Sequence, residues 1–208
     1  MIEETDNNNK TGWLLAGITI LIGLGYQFIP GVLPFGTTIG IFWNALLCGI
    51  AGYLMLKDRF TEQFKHFKWK TLAWGLPLTF IVGILSGVIY QQLFGAASQN
   101  SIGDVITLQM IFLQVPFMLI GEELLSTNLI LGLEKAGISF RWASLICSVL
   151  FALWHIPAYG LNIAQLLITL MPIRLVLNYI WKKSESVWVS WICHFLYDCL
   201  GFVQFFMK

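Results

Sequence analysis

Residues 115–131 read VPFMLIGEELLSTNLIL, and the reading of the chain turns on the two adjacent acids in the middle of this stretch. Glu122 and Glu123 interrupt an apolar run that extends over 105–131. An ionised carboxylate near the centre of a bilayer costs roughly 2.5–3.5 kcal/mol on insertion scales. Two side by side need partners, and an intramembrane acid with a partner marks a functional site. The bilayer is the expected setting: 57% of the 208 residues are hydrophobic and 11% are charged, against roughly 25% charged in soluble domains. The formal net charge of +1 leaves no electrostatic footprint for nucleic acid.

A helix needs about 20 apolar residues to span. Seven segments qualify: 12–29, 36–56, 72–94, 105–133, 142–159, 163–181 and 187–206. The fold class is therefore an all-α polytopic membrane bundle. Residues 1–11 are expected as a polar tail and 12–208 as one transmembrane domain, with the catalytic-core helices within 105–206. The first span is closed by Pro30-Gly31. The fourth is longer than needed and carries Pro116, which predicts a kink or a short preceding helix. Cys48, Cys147, Cys193 and Cys199 all lie in apolar runs without paired spacing, so they read as small core residues. No cleavable signal peptide is expected, because the N-terminus is acidic and the run after it is long.

Loop charge sets the expected orientation. Lys57, Arg59, Lys65, Lys68 and Lys70 follow the second span, Lys135 and Arg141 the fourth, and Lys182 and Lys183 the sixth. The intervening loops carry neither Lys nor Arg. Positive loops stay inside, so the N-terminus is expected in the cytoplasm and the C-terminus outside.

The ionisable residues of the spans are Glu122, Glu123, His155, Arg174, His194 and Asp198, all in the last four. At 1.5 Å per residue, Glu122 and His155 lie roughly 20 and 21 Å from the basic ends of their helices. Arg174 and His194 lie roughly 12 Å, and Asp198 roughly 18 Å, from theirs. Four helices thus place their costly residues in one slab. His194 and Asp198 share a face at i,i+4, and Phe151 is set beside His155 by the same spacing. Asn44, Asn128 and Asn178 read as interhelical hydrogen-bonders.

In order, Glu122-Glu123, Phe151-Ala-Leu-Trp-His155 and His194-Phe-Leu-Tyr-Asp198 resemble the motifs of the CAAX-type intramembrane endopeptidases, also called the CPBP or Abi family. The resemblance covers about the last half of the chain. The family pattern is GluGluXXXArg, whereas Thr127 stands at the arginine position here and Asn128 follows it. Arg174, at a depth similar to Thr127, is expected to supply the missing cation. The last motif ends in Asp198 where characterised members often have Asn.

The resemblance implies a membrane protease with Glu122 as general base, His155 helping to hold the water, and His194 with Asp198 stabilising the oxyanion. Glu123 is expected as a catalytic residue beside them, with Arg174 and Phe151 in support. Glu122, His155, His194 and Asp198 also form a donor set for a divalent metal such as zinc, so both metal-dependent and metal-free water activation stand. The implied substrate is a membrane-associated peptide or a lipidated protein. A compact chain of this kind is expected in a bacterial cell membrane, with links to bacteriocin immunity or peptide maturation. Two other readings stand: an immunity or scaffold protein whose site is degraded, as Thr127 at the arginine position suggests, and an ion-coupled carrier. Carriers usually show repeats in both halves, whereas these polar residues keep to the second.

Overall fold

The computed structural model describes residues 2–28 and 35–207, and among them every regular element is helical. Seven main helices follow the expected order: α1 (Ile2–Tyr26), α2 (Gly36–Leu56), α3 (Trp69–Phe94), α4 (Val115–Lys135), α5 (Phe140–Trp154), α6 (Met171–Ser184) and α7 (Val187–Phe206). Helix α1 runs through the polar N-terminal segment without a break. The expected Pro30-Gly31 closure lies outside the described residues.

Among the described residues, five helices are long and apolar enough to cross a membrane: α2 from Thr38, α3, α4, the composite Ile163–Ser184, and α7. The sequence reading counted seven. The difference lies in α1, whose first ten residues are largely polar, and in α5, which stops at Trp154. The fifth span breaks at His155 (φ −89°, ψ 3°) and resumes as the short helix Ile156–Tyr159. Pro157 explains the break, since it has no N–H to continue the ladder and its ring clashes with the preceding turn. The fourth span breaks in the same way. A short helix, Leu108–Leu113, ends at Gln114, and α4 restarts with Pro116 in its first turn. The sixth begins with a π-helical turn, Leu166–Leu170, just ahead of Pro172.

Helix α4 is the centre of the bundle. It packs against α1, α2, α5 and α7, and most of its length is buried. By contrast, α3 faces mainly outward, as a lipid-facing helix does. Small residues let the neighbours close on α4. A Cβ added at Gly121 would lie 2.8 Å from the backbone nitrogen of Ala45 on α2. One added at Gly132 would lie 3.0 Å from backbone atoms of Gly12 and Ala16 on α1. Close backbone approach of this kind drives helix association where lipid removes the hydrophobic incentive. Asn128 adds a hydrogen bond from its Nδ2 to the Cys48 carbonyl, 2.6 Å.

The basic segment after α2 is tied to the α6–α7 corner. Trp188 donates to the Phe64 carbonyl (3.0 Å) and Trp181 to Gln63 Oε1 (3.2 Å). Glu134, at the end of α4, receives both Arg59 and Lys182. Phe60 turns inward and is buried, whereas Trp69 stays exposed.

Candidate active site

The acids of α4 have different surroundings. Glu123 is fully buried and meets Arg174, also fully buried, in a two-pronged contact: Nη1 to Oε1 at 2.7 Å and Nη2 to Oε2 at 3.0 Å. Glu122 retains 22% exposure of its side chain. Helix geometry causes the split, because adjacent residues point about 100° apart. A buried charge is tolerated only when it is paired and hydrogen-bonded, and the planar guanidinium matches a carboxylate with two parallel bonds. The cation comes from α6, while Thr127 bonds its own helix through the Leu124 carbonyl.

His194 joins the pair from α7. Its Nδ1 lies 3.0 Å from Glu123 Oε1, the oxygen that also receives Arg174 Nη1. A carboxylate oxygen accepts, so Nδ1 carries the hydrogen and Nε2 is left for the site. That Nε2 lies 3.9 Å from Glu122 and 3.9 Å from Asp198, whose side chain is 27% exposed. Glu122, His194 and Asp198 therefore border one partly accessible spot.

His155 enters by another route. Its Nδ1 bonds the Phe151 carbonyl at 2.8 Å, which again puts the hydrogen on Nδ1 and leaves Nε2 free. The Phe151 ring is the hub between the parts. It lies 4.6 Å from the His155 ring and 6.0 Å from that of His194, with the Arg174 guanidinium 5.2 Å from its centroid. The last contact is within cation–π range.

Two groups of residues support the site in ways that the sequence does not assign. The chain break at His155 leaves the Trp154 carbonyl without the Ala158 N–H, which bonds the His155 carbonyl instead. Gln27, at the end of α1, donates to that carbonyl at 2.8 Å. No sequence signal ties residue 27 to residue 154. The second group is Asn178, Ser144 and Ser148, buried behind Arg174. Here the i,i+4 spacing of Arg174 and Asn178 was a usable signal.

Among the described residues, no group of three or more His, Cys, Asp or Glu side chains is arranged to hold a metal ion. Each histidine bonds through Nδ1, His155 to a carbonyl and His194 to Glu123, which orients the ring and leaves its Nε2 open.

The fold and this cluster together define a polytopic helical membrane protein with a buried acid–arginine–histidine site. Residues 104–200 match the profile of the Rce1-like family, described as type II CAAX prenyl endopeptidase Rce1-like. The matched stretch carries α4, α5, α6 and most of α7, and with them the acid–arginine–histidine cluster. No curated protein and no solved structure matches the chain.

Proposed function

We propose that the protein is an intramembrane endopeptidase that hydrolyses a peptide bond in a membrane-associated peptide or lipidated protein. The observation that carries this reading is the division between the two acids: Glu123 is consumed by Arg174 and His194, while Glu122 stays partly accessible beside His194 Nε2. Glu122 takes a proton from a water molecule, and the water oxygen adds to the scissile carbonyl carbon. The same carboxyl then returns the proton to the leaving amine nitrogen as the C–N bond breaks. The free Nε2 of His155 helps to orient the water. As an imidazolium, His194 donates from Nδ1 to Glu123 and from Nε2 to the developing oxyanion, and Asp198 supports it. Positioned donors and a general base are the usual means by which such a barrier is lowered.

The basic loops would face the cytoplasm, and the substrate would meet the site within the membrane. The reading of a degraded, non-catalytic relative drew on Thr127 at the motif's arginine position. Arg174 weighs against it, because the acidic pair does have a cation. Incubation of the purified protein in liposomes with a library of membrane-anchored reporter peptides tests the function. Cleavage by the wild type and its loss in Glu122→Gln is expected; cleavage that persists in the variant removes Glu122 as base.

A further inference from the structure

Behind the Arg174–Glu123 pair lies a second layer that the catalytic reading does not use. Arg174 Nε donates to Asn178 Oδ1 at 3.0 Å. The amide nitrogen of Asn178 then reaches across to α5, 3.1 Å from Ser144 Oγ, 3.1 Å from Ser148 Oγ and 3.3 Å from the Ser144 carbonyl. All four side chains are buried. The direction of the amide is fixed by chemistry, because Nε can only donate and must meet the oxygen. Ser148 already donates to the Ser144 carbonyl at 2.8 Å, so its lone pairs are free to receive the amide.

The geometry points to Asn178 as a positioning residue, anchored by Ser144 and Ser148, that aims the Arg174 guanidinium at Glu123 and so fixes His194 beside the catalytic water. The guanidinium is a rigid plane, so the direction of Nε sets the direction of the two prongs. Two bonds to a single carboxylate leave that plane free to tilt about the pair, and the third, from the opposite side, removes the freedom. The constraint passes on through Glu123 Oε1, which receives both Arg174 Nη1 and His194 Nδ1. Five residues on four helices thus form a continuous line from Ser148 to His194, whose far nitrogen lies 3.9 Å from Glu122.

This inference rests on the proposed hydrolysis, and the experiment separates the two. Cleavage kinetics of the full chain in liposomes would be measured for wild type, Glu122→Gln, Asn178→Leu, Arg174→Gln and the Asn178→Leu/Arg174→Gln double variant. Asn178→Leu is expected to lower kcat roughly tenfold to a hundredfold, the rate equivalent of one hydrogen bond to a charged group. KM should stay unchanged, because no contact with substrate is lost. The double variant should be no slower than Arg174→Gln, since Asn178 acts only through the arginine. Ser148→Ala, which loosens the anchor without burying a new group, should lower kcat in the same direction and covers the case in which Asn178→Leu does not fold. Unchanged kcat in both Asn178→Leu and Ser148→Ala, or losses that multiply in the double variant, overturn the inference alone. Cleavage that Glu122→Gln leaves intact overturns the catalytic reading and the inference with it.

Discussion

Arg174 reaches Glu123 across 51 residues of sequence with both terminal nitrogens, at 2.7 and 3.0 Å, and both side chains are sealed from solvent. Removing one partner of such a pair leaves an uncompensated buried charge, at a cost of about 3–5 kcal/mol. Arg174→Thr should therefore lower the melting temperature of the detergent-solubilised protein sharply and abolish cleavage. Thr127 lies one helical turn from Glu123 on the same face and is buried. Adding Thr127→Arg to Arg174→Thr should return part of both losses. A double variant as unstable as the single one would show that residue 127 cannot serve the acid.

The two glutamates should separate in their phenotypes. Glu122→Gln removes a partly exposed carboxylate with no buried cation on it, so it should lose cleavage by about 10²–10⁴-fold with little change in thermal stability. Glu123→Gln strands the Arg174 charge and should destabilise the fold as well as the activity. Thermal melts alongside turnover distinguish the two. Equal destabilisation by both variants would argue against the division of labour.

Gln27 should matter to a site more than a hundred residues away in sequence. Its bond to the Trp154 carbonyl holds the corner at which His155 sits. Gln27→Ala leaves that carbonyl unsatisfied, worth about 1–3 kcal/mol, and should lower kcat with a smaller effect on KM. Gln27→Glu keeps the reach but replaces the amide donor with an acceptor when ionised, so it should not recover the loss. Wild-type turnover in the alanine variant would remove Gln27 from the support of the site.

Gly121, next to the acidic pair, should tolerate no side chain. Its Cβ would press on the Ala45 backbone, which has no flexible end to give way, whereas a Cβ at Gly17 meets nothing within 4 Å. Gly121→Ala should cost about 1–3 kcal/mol as overpacking and reduce cleavage by shifting Glu122. Gly17→Ala should leave both measurements near wild type.

Cleavage is expected to survive exhaustive chelation, because the described site residues are not arranged to hold an ion. A loss restored by added zinc would show that the donors regroup around a metal.

Much of the site was legible in the sequence because an ionisable group in an apolar helix stands out by its cost. That signal, with a rise of 1.5 Å per residue, carried Glu123, Arg174 and His194 to a common depth, and their side chains meet. Helices α2 and α7 were read with the bounds observed, since their apolar runs have clear polar ends. The break at His155 was harder to see. Pro157 disturbs the helix, but where the helix stops depends on which carbonyls find other donors, and Gln27 supplies one from a distant helix. The fifth span is shorter as an unbroken helix than its hydropathy suggests, because hydropathy measures apolar length, whereas Trp154 ends α5 by a backbone event. Asn178 was read as a generic interhelical hydrogen-bonder because its partners lie on another helix.

The seating of α4 between α1 and α2 also bears on how far the candidate site can be moved. The stretch that carries the family likeness starts at residue 104, yet Gly121 and Gly132 close on backbone that precedes it, and Gln27 secures the corner at His155. A transplant cut at the boundary of the likeness would bring every titratable side chain of the site and leave behind the walls that shape it. Chimaeras among such proteins should therefore exchange whole bundles, because the matched stretch is not a self-sufficient module.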